Sequence, residues 1–126
     1  MLKTKNILNT VFGPYSSIRQ ANNLLFISGQ IPINKNTKII PKCISEQTTL
    51  ALKKINLLLL ENQLSVKNII KITIFTTKMD KLKEINLSYQ NFFNKYTNRY
   101  PARSCVGVSE LPEKVCIEIE AIASIF

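Results

Sequence analysis

The sequence predicts an α+β domain of two layers, with two helices on one face of a mixed β-sheet. Three observations carry that prediction. Strand-like and helix-like stretches follow one another in the order β-β-α-β-α-β-β. Each helical stretch shows one well-defined apolar stripe, so each has one face to bury and the pair can cover one side of a sheet. At 126 residues with 45% hydrophobic and 20% charged residues, the chain is one domain's worth of globular protein, and residues 1–126 are expected to share one core.

The elements follow from local pattern. "SSIRQA" and "NNLLFISGQIP" form a hairpin across an Asn-Asn turn, the second strand ending before Pro32. "NKNTKIIPK" is a loop on composition. Residues 45–63 are helical: Ser45 is a candidate N-cap, and Ala51, Leu52, Ile55, Leu58 and Leu59 recur at helical spacing. Leu57 and Leu60 lie off that stripe, so this helix is expected to be buried on more than one side. "NIIKITIFTT" is β-branched almost throughout and is a strand. A second helix starts near Asp80, a candidate N-cap, and carries Leu82, Ile85, Tyr89, Phe92, Phe93 and Tyr96 on one face before ending ahead of Pro101. Strands over about 103–108 and 115–125 close the chain.

Composition excludes several chemistries. There is no histidine, hence no Ser-His or Cys-His dyad, no histidine general base and no His-containing zinc site. Three cysteines without CxxC spacing suit free thiols better than a disulfide framework. The net charge of +9 comes mostly from scattered lysines, and joint enrichment in Lys, Asn and Ile is what A/T-rich codons supply. The charge therefore does not by itself call for nucleic acid. No apolar stretch reaches the ~18–20 residues of a membrane span, and the N-terminal "MLKTKNILNT" lacks the apolar core of a secretory signal, so no membrane association and a cytoplasmic location are expected.

The last two strands hold the informative charges. Side chains alternate faces along a strand. In residues 115–125 the odd positions are all apolar, while Cys116, Glu118, Glu120, Ile122 and Ser124 share the other face. In the preceding strand Arg103, Cys105 and Gly107 share a face. If Val106 and Val108 join the core, Arg103 and Cys105 stand with Glu118 and Glu120 on the sheet face that lacks helices. Two readings compete there. One is a solvated face with a cross-strand ion pair. The other is the wall of a cleft or subunit interface, favoured by the mixture of Cys116, Ile122 and Gly107 with the charges. Tyr15 in "FGPYS" and Ser28 in "SGQIP" are each weak signals, although Gly13 and Gly29 beside them permit close backbone approach to a ligand.

Together, "GPYS" at 13–16, "ISGQIP" at 27–32, "YPARSCVGV" at 100–108, "LP" at 111–112 and "IEIEAIA" at 117–123 resemble the RidA/YjgF (RutC-like) family of reactive enamine/imine deaminases over nearly the whole chain. The resemblance implies a chorismate-mutase-like α+β fold in a homotrimer with active sites between subunits. It implies hydrolysis of 2-aminoacrylate-type (2-iminopropanoate, 2-iminobutanoate) intermediates to 2-keto acids and ammonia, which protects pyridoxal-phosphate enzymes. Arg103 would bind the substrate carboxylate and Glu118 would position water and move protons. The Cys105 backbone, Tyr15, Ser28 and Gly29 would line the pocket, with no metal or organic cofactor. Many relatives carry a larger residue, commonly glutamate, where this chain has Gly107. Two alternatives stand beside the deaminase: a non-catalytic trimer binding a small 2-keto acid or amino acid, and an RNA-binding or endoribonuclease-type translation inhibitor.

Overall fold

The computed structural model describes residues 13–125. Its strands are β1 (Ile18–Ala21), β2 (Leu24–Gln30), β3 (Ile69–Thr76), β4 (Ala102–Gly107) and β5 (Ile117–Ser124). Its α-helices are α1 (Ile44–Glu61) and α2 (Leu82–Phe93), and the element order is the predicted one. The strands form one sheet in the order β1-β2-β5-β3-β4. All neighbours are antiparallel except β3 and β4. That parallel pair needs a crossover, which α2 supplies.

The β1–β2 hairpin closes through Asn22 at φ 54°, a left-handed conformation that asparagine tolerates better than most residues. One layer of helices covers one sheet face. Leu25 and Ile27 of β2, Ile72 and Ile74 of β3, and Ile117, Ile119, Ala121 and Ala123 of β5 meet Ala51, Leu52, Ile55 and Leu59 of α1 and Ile85, Tyr89, Phe92 and Phe93 of α2. This is the two-layer α+β arrangement read from the sequence.

Several boundaries differ from expectation, each for a local reason. Helix α1 begins at Ile44 with Cys43 at the N-cap position and no side-chain cap. Ser45 lies inside the first turn, where its carbonyl accepts from Thr49 Oγ1 at 3.1 Å. The start of α1 is instead held by the buried Gln47, whose Nε2 donates to the Pro41 carbonyl and whose Oε1 accepts from the Cys116 N–H, both at 2.8 Å. Leu57 and Leu60 are exposed in this chain, at 58% and 54%, so α1 buries one stripe here and not a second side. Asp80 sits in a single 3-10 turn, Met79–Lys81, and caps nothing; α2 proper starts at Leu82 and ends at Phe93.

The largest correction concerns β4. Its parallel register sets Arg103 beside Ile72 and Cys105 beside Ile74, both fully buried under the helices. Register partners point to the same face. Arg103 and Cys105 therefore project toward the helix side, while Val106 is 42% exposed on the open face. Glu118 pairs with Phe75 and Glu120 with Thr73, alternating with the buried Ile117, Ile119 and Ala121, so both glutamates stand on the open face. The expected cross-strand pairing of Arg103 with these carboxylates is not made within one chain.

Candidate active site

Arg103 sits on the edge strand β4, and α2 returns above it. The Arg103 Cζ lies 4.9 Å from the centroid of the Tyr89 ring, a stacked cation–π arrangement. Tyr89 is itself fixed, 5% exposed and with its ring centroid 4.6 Å from that of Phe93 and 6.4 Å from that of Tyr100. Burial pushes the Tyr89 phenol up to about 12, with Arg103 pulling the other way, so the ring stays neutral beside the cation. Among the described residues the ion pair is Lys81–Glu84 at 3.8 Å, and Arg103 has no carboxylate within ion-pair distance.

The next residue on that face is Cys105, packed against the core, its thiol donating to Met79 Sδ at 3.9 Å. Burial raises its pKa against the pull of Arg103, which keeps it a thiol and not a nucleophilic thiolate. A Cβ on Gly107 would lie 2.9 Å from Met79 Cγ, so the missing side chain there is replaced by Met79 lying across the strand end.

On the open face a second group gathers around Glu118. β2 is bulged between Ile27 and Gln30 where it pairs β5, and this brings Gly29 against the Glu118 side chain. A Cβ on Gly29 would fall 2.8 Å from Glu118 Cδ, a position that only glycine leaves free. Burial raises the Glu118 pKa, and the neighbouring Glu120 raises it further. Ser28 Oγ donates to the Ser16 carbonyl at 2.6 Å, and the Ser28 N–H donates to Ser17 at 2.9 Å. These bonds tie the "GPYS" turn to β2. Tyr15, the residue before Ser16, lies on this tethered turn, 48% exposed, with its N–H on the Gly13 carbonyl at 2.8 Å.

Of the residues singled out in the sequence, the structure brings Ser28, Gly29 and Glu118 together, with Tyr15 on the adjoining turn, and sets Arg103 with Cys105. It places the two groups on opposite faces of one sheet. A pocket using both must take one group from each of two chains. The sequence reading took Tyr89 only as a core residue, and no sequence signal marks it otherwise, because its stacking on Arg103 depends on the strand beneath α2. A groove lined by Pro41, Ser45, Glu46, Thr49, Leu50, Lys53 and Ser88 contains none of these residues. Among the described residues no three Cys, Asp or Glu side chains converge on a metal position, and no helix is long and apolar enough to cross a membrane.

Residues 6–125 match the family model described as Endoribonuclease L-PSP. The chain is 46% identical over 123 residues to a RutC family protein of Buchnera aphidicola, covering 98% of this chain and 95% of that one. It is 40% identical over 111 residues (88% and 86% of the two chains) to TdcF of Escherichia coli, whose name provisionally makes it a reactive intermediate deaminase. The crystal structure of E. coli TdcF with bound serine superposes with a TM-score of 0.87 at 39% identity, covering 90% of each chain. That of the E. coli YjgF gene product gives 0.87 at 35% identity, again over 90% of each. On sequence, fold and element order, the chain belongs to the RidA/YjgF family.

Proposed function

We propose that the protein is a deaminase hydrolysing enamine/imine intermediates of the 2-aminoacrylate type to 2-keto acids and ammonia, in a homotrimer whose clefts join Arg103 of one subunit to Glu118 of the next. The observation that carries this reading is the pair of half-buried opposite charges, each without an ion-pair partner among the described residues, on opposite faces of one sheet. A half-buried guanidinium and a half-buried carboxylate left apart are costly as structure and useful as halves of a site. The serine bound to TdcF, a relative of the same fold, is a small amino acid with the carboxylate such a cleft would hold.

The chemistry follows from the groups. The planar fork of Arg103 binds the substrate carboxylate in two parallel hydrogen bonds and fixes the orientation of the adjacent C=N carbon. The enamine takes a proton from solvent at its methylene carbon and becomes the iminium ion. Water adds to C2 and Glu118 accepts a proton from it, leaving the neutral carbinolamine. The same carboxyl then returns that proton to nitrogen, and ammonia leaves as the C2 hydroxyl gives up its proton to solvent and becomes the keto group. A carboxyl raised above its ordinary range is closer to neutral pH, and so better suited to both accept and return a proton. Gly29 gives Glu118 its room. The exposed apolar side chains of the open face, Phe26 and Val106 among them, suit burial against a neighbouring subunit. Such chemistry spares pyridoxal-phosphate enzymes the attack of free aminoacrylate, and its setting would be the cytoplasm.

The test is a pyridoxal-phosphate serine or threonine dehydratase generating the intermediate, with keto-acid release followed continuously. Adding the protein accelerates release, and Arg103→Ala abolishes the acceleration. Sedimentation of the wild type at three times the chain mass accompanies it. A wild type that gives no acceleration overturns the deaminase reading and leaves a binding trimer for small amino or keto acids.

A further inference from the structure

We propose that Tyr89 is a positioning residue for the carboxylate site: its ring is the platform on which the Arg103 guanidinium is held in register for a substrate carboxylate. The proposal rests on the assignment of Arg103 as the carboxylate-binding group.

Neighbouring carboxylates hold most buried arginines in place, and among the described residues none is within ion-pair distance of Arg103. An acidic partner would fix the guanidinium but also occupy the fork that the substrate needs. An aromatic face fixes it without touching the in-plane N–H groups, because the ring attracts the cation from above and leaves the edges of the fork open. Tyr89 has the position for this, with Arg103 Cζ 4.9 Å from its centroid. It also has the rigidity, being buried and wedged between Phe93 and Tyr100, with Phe92 packed edge-on to Phe93 at 5.3 Å. The register makes the arrangement obligatory: β4 aligns Arg103 with Ile72, so the side chain can only rise toward α2.

The phenol is a separate matter. The Tyr89 hydroxyl is buried without a hydrogen-bond partner among the described residues. It is not needed for stacking, and this separates ring from hydroxyl by experiment. Because burial holds it protonated to about 12, it does not neutralise Arg103 at any ordinary pH.

Calorimetric titration with 2-oxobutanoate, a stable 2-keto acid, tests the proposal in wild type, Tyr89→Phe, Tyr89→Leu and Arg103→Ala, reading both the dissociation constant and the number of sites per chain. Tyr89→Phe keeps the platform and binds as the wild type does. Tyr89→Leu fills much of the same volume without a π face and weakens binding by about 5- to 30-fold, the equivalent of about 1–2 kcal/mol at 1.36 kcal/mol per tenfold. The number of sites stays unchanged; a variant that merely misfolds loses sites and keeps its affinity. Unchanged affinity in Tyr89→Leu overturns the platform, as does an equal loss in Tyr89→Phe, which would move the effect to the hydroxyl. Failure of the wild type to bind, or wild-type affinity in Arg103→Ala, instead overturns the carboxylate site itself.

Discussion

Replacing Gly29 with alanine tests whether the Glu118 carboxylate acts from where it lies. A Cβ there would run into Glu118 Oε2 first, and would come 2.8 Å from Cδ and 3.0 Å from Cγ. Carbon atoms in contact rest at about 3.5–4.0 Å, so the carboxyl must retreat by roughly 1 Å. What yields is the end of a flexible side chain, and Gly29 does not occupy a positive φ, so the alanine backbone is unstrained. An off-rotamer glutamate costs about 0.5–1.5 kcal/mol, and the entropy lost from the unfolded chain returns about 0.4–1 kcal/mol, which leaves stability within about 1 kcal/mol of the wild type. Catalysis is less forgiving: displacing an acid-base group by about 1 Å lowers the rate by about 100-fold. Urea unfolding and the dehydratase-coupled assay measure the two quantities on one sample. A variant within threefold of wild-type rate would refute the reasoning, because Glu118 would then work from a different position. A loss of more than about 3 kcal/mol would refute it too, since backbone and not side chain would have moved.

Two further outcomes follow from groups already described. Between the ordinary glutamate pKa and the raised value of Glu118, the folded protein holds more protons than the unfolded chain, so this residue makes stability fall as pH rises through that window. Glu118→Gln removes that slope, is as stable as wild type or more so above the window, and has lost the rate acceleration; melting curves from about pH 3 to 8 that run parallel for both proteins contradict the assignment. Gln47→Met strips the half-buried Pro41 carbonyl and Cys116 N–H of their partner, at a cost of about 1–3 kcal/mol in urea unfolding with the active-site groups untouched. A loss under about 1 kcal/mol would mean that water replaces the amide.

What the sequence made legible was whatever repeats along one element. β3 announced itself through β-branched residues, and the α2 stripe placed Ile85, Tyr89, Phe92 and Phe93 in the core where they are found. Glu118 was placed correctly because β5 is central and its alternation is clean over eight residues. β4 is an edge strand of six residues, with weak apolar character on both faces, so its parity could not be read from Val106 and Val108. Only the register against β3 decides it, and register is a property of two strands. The same limit hid Tyr89: a tyrosine on an apolar stripe reads as core until the strand beneath it is known to carry an arginine. Gln47 escaped for a related reason, since its two partners lie 6 and 69 residues away in sequence.

The separation of Arg103 and Glu118 across the thickness of one sheet has a consequence for genetics as much as for chemistry. In the proposed ring of three, a chain lacking the arginine and a chain lacking the glutamate would each be inert alone, yet every mixed ring would contain one junction where an intact arginine meets an intact glutamate. Refolded together in equal amounts, the two dead proteins would recover about a quarter of the wild-type rate: three-quarters of random rings are mixed, and each has one working cleft in three. A protein that keeps both groups in the same chain's cleft shows no such rescue.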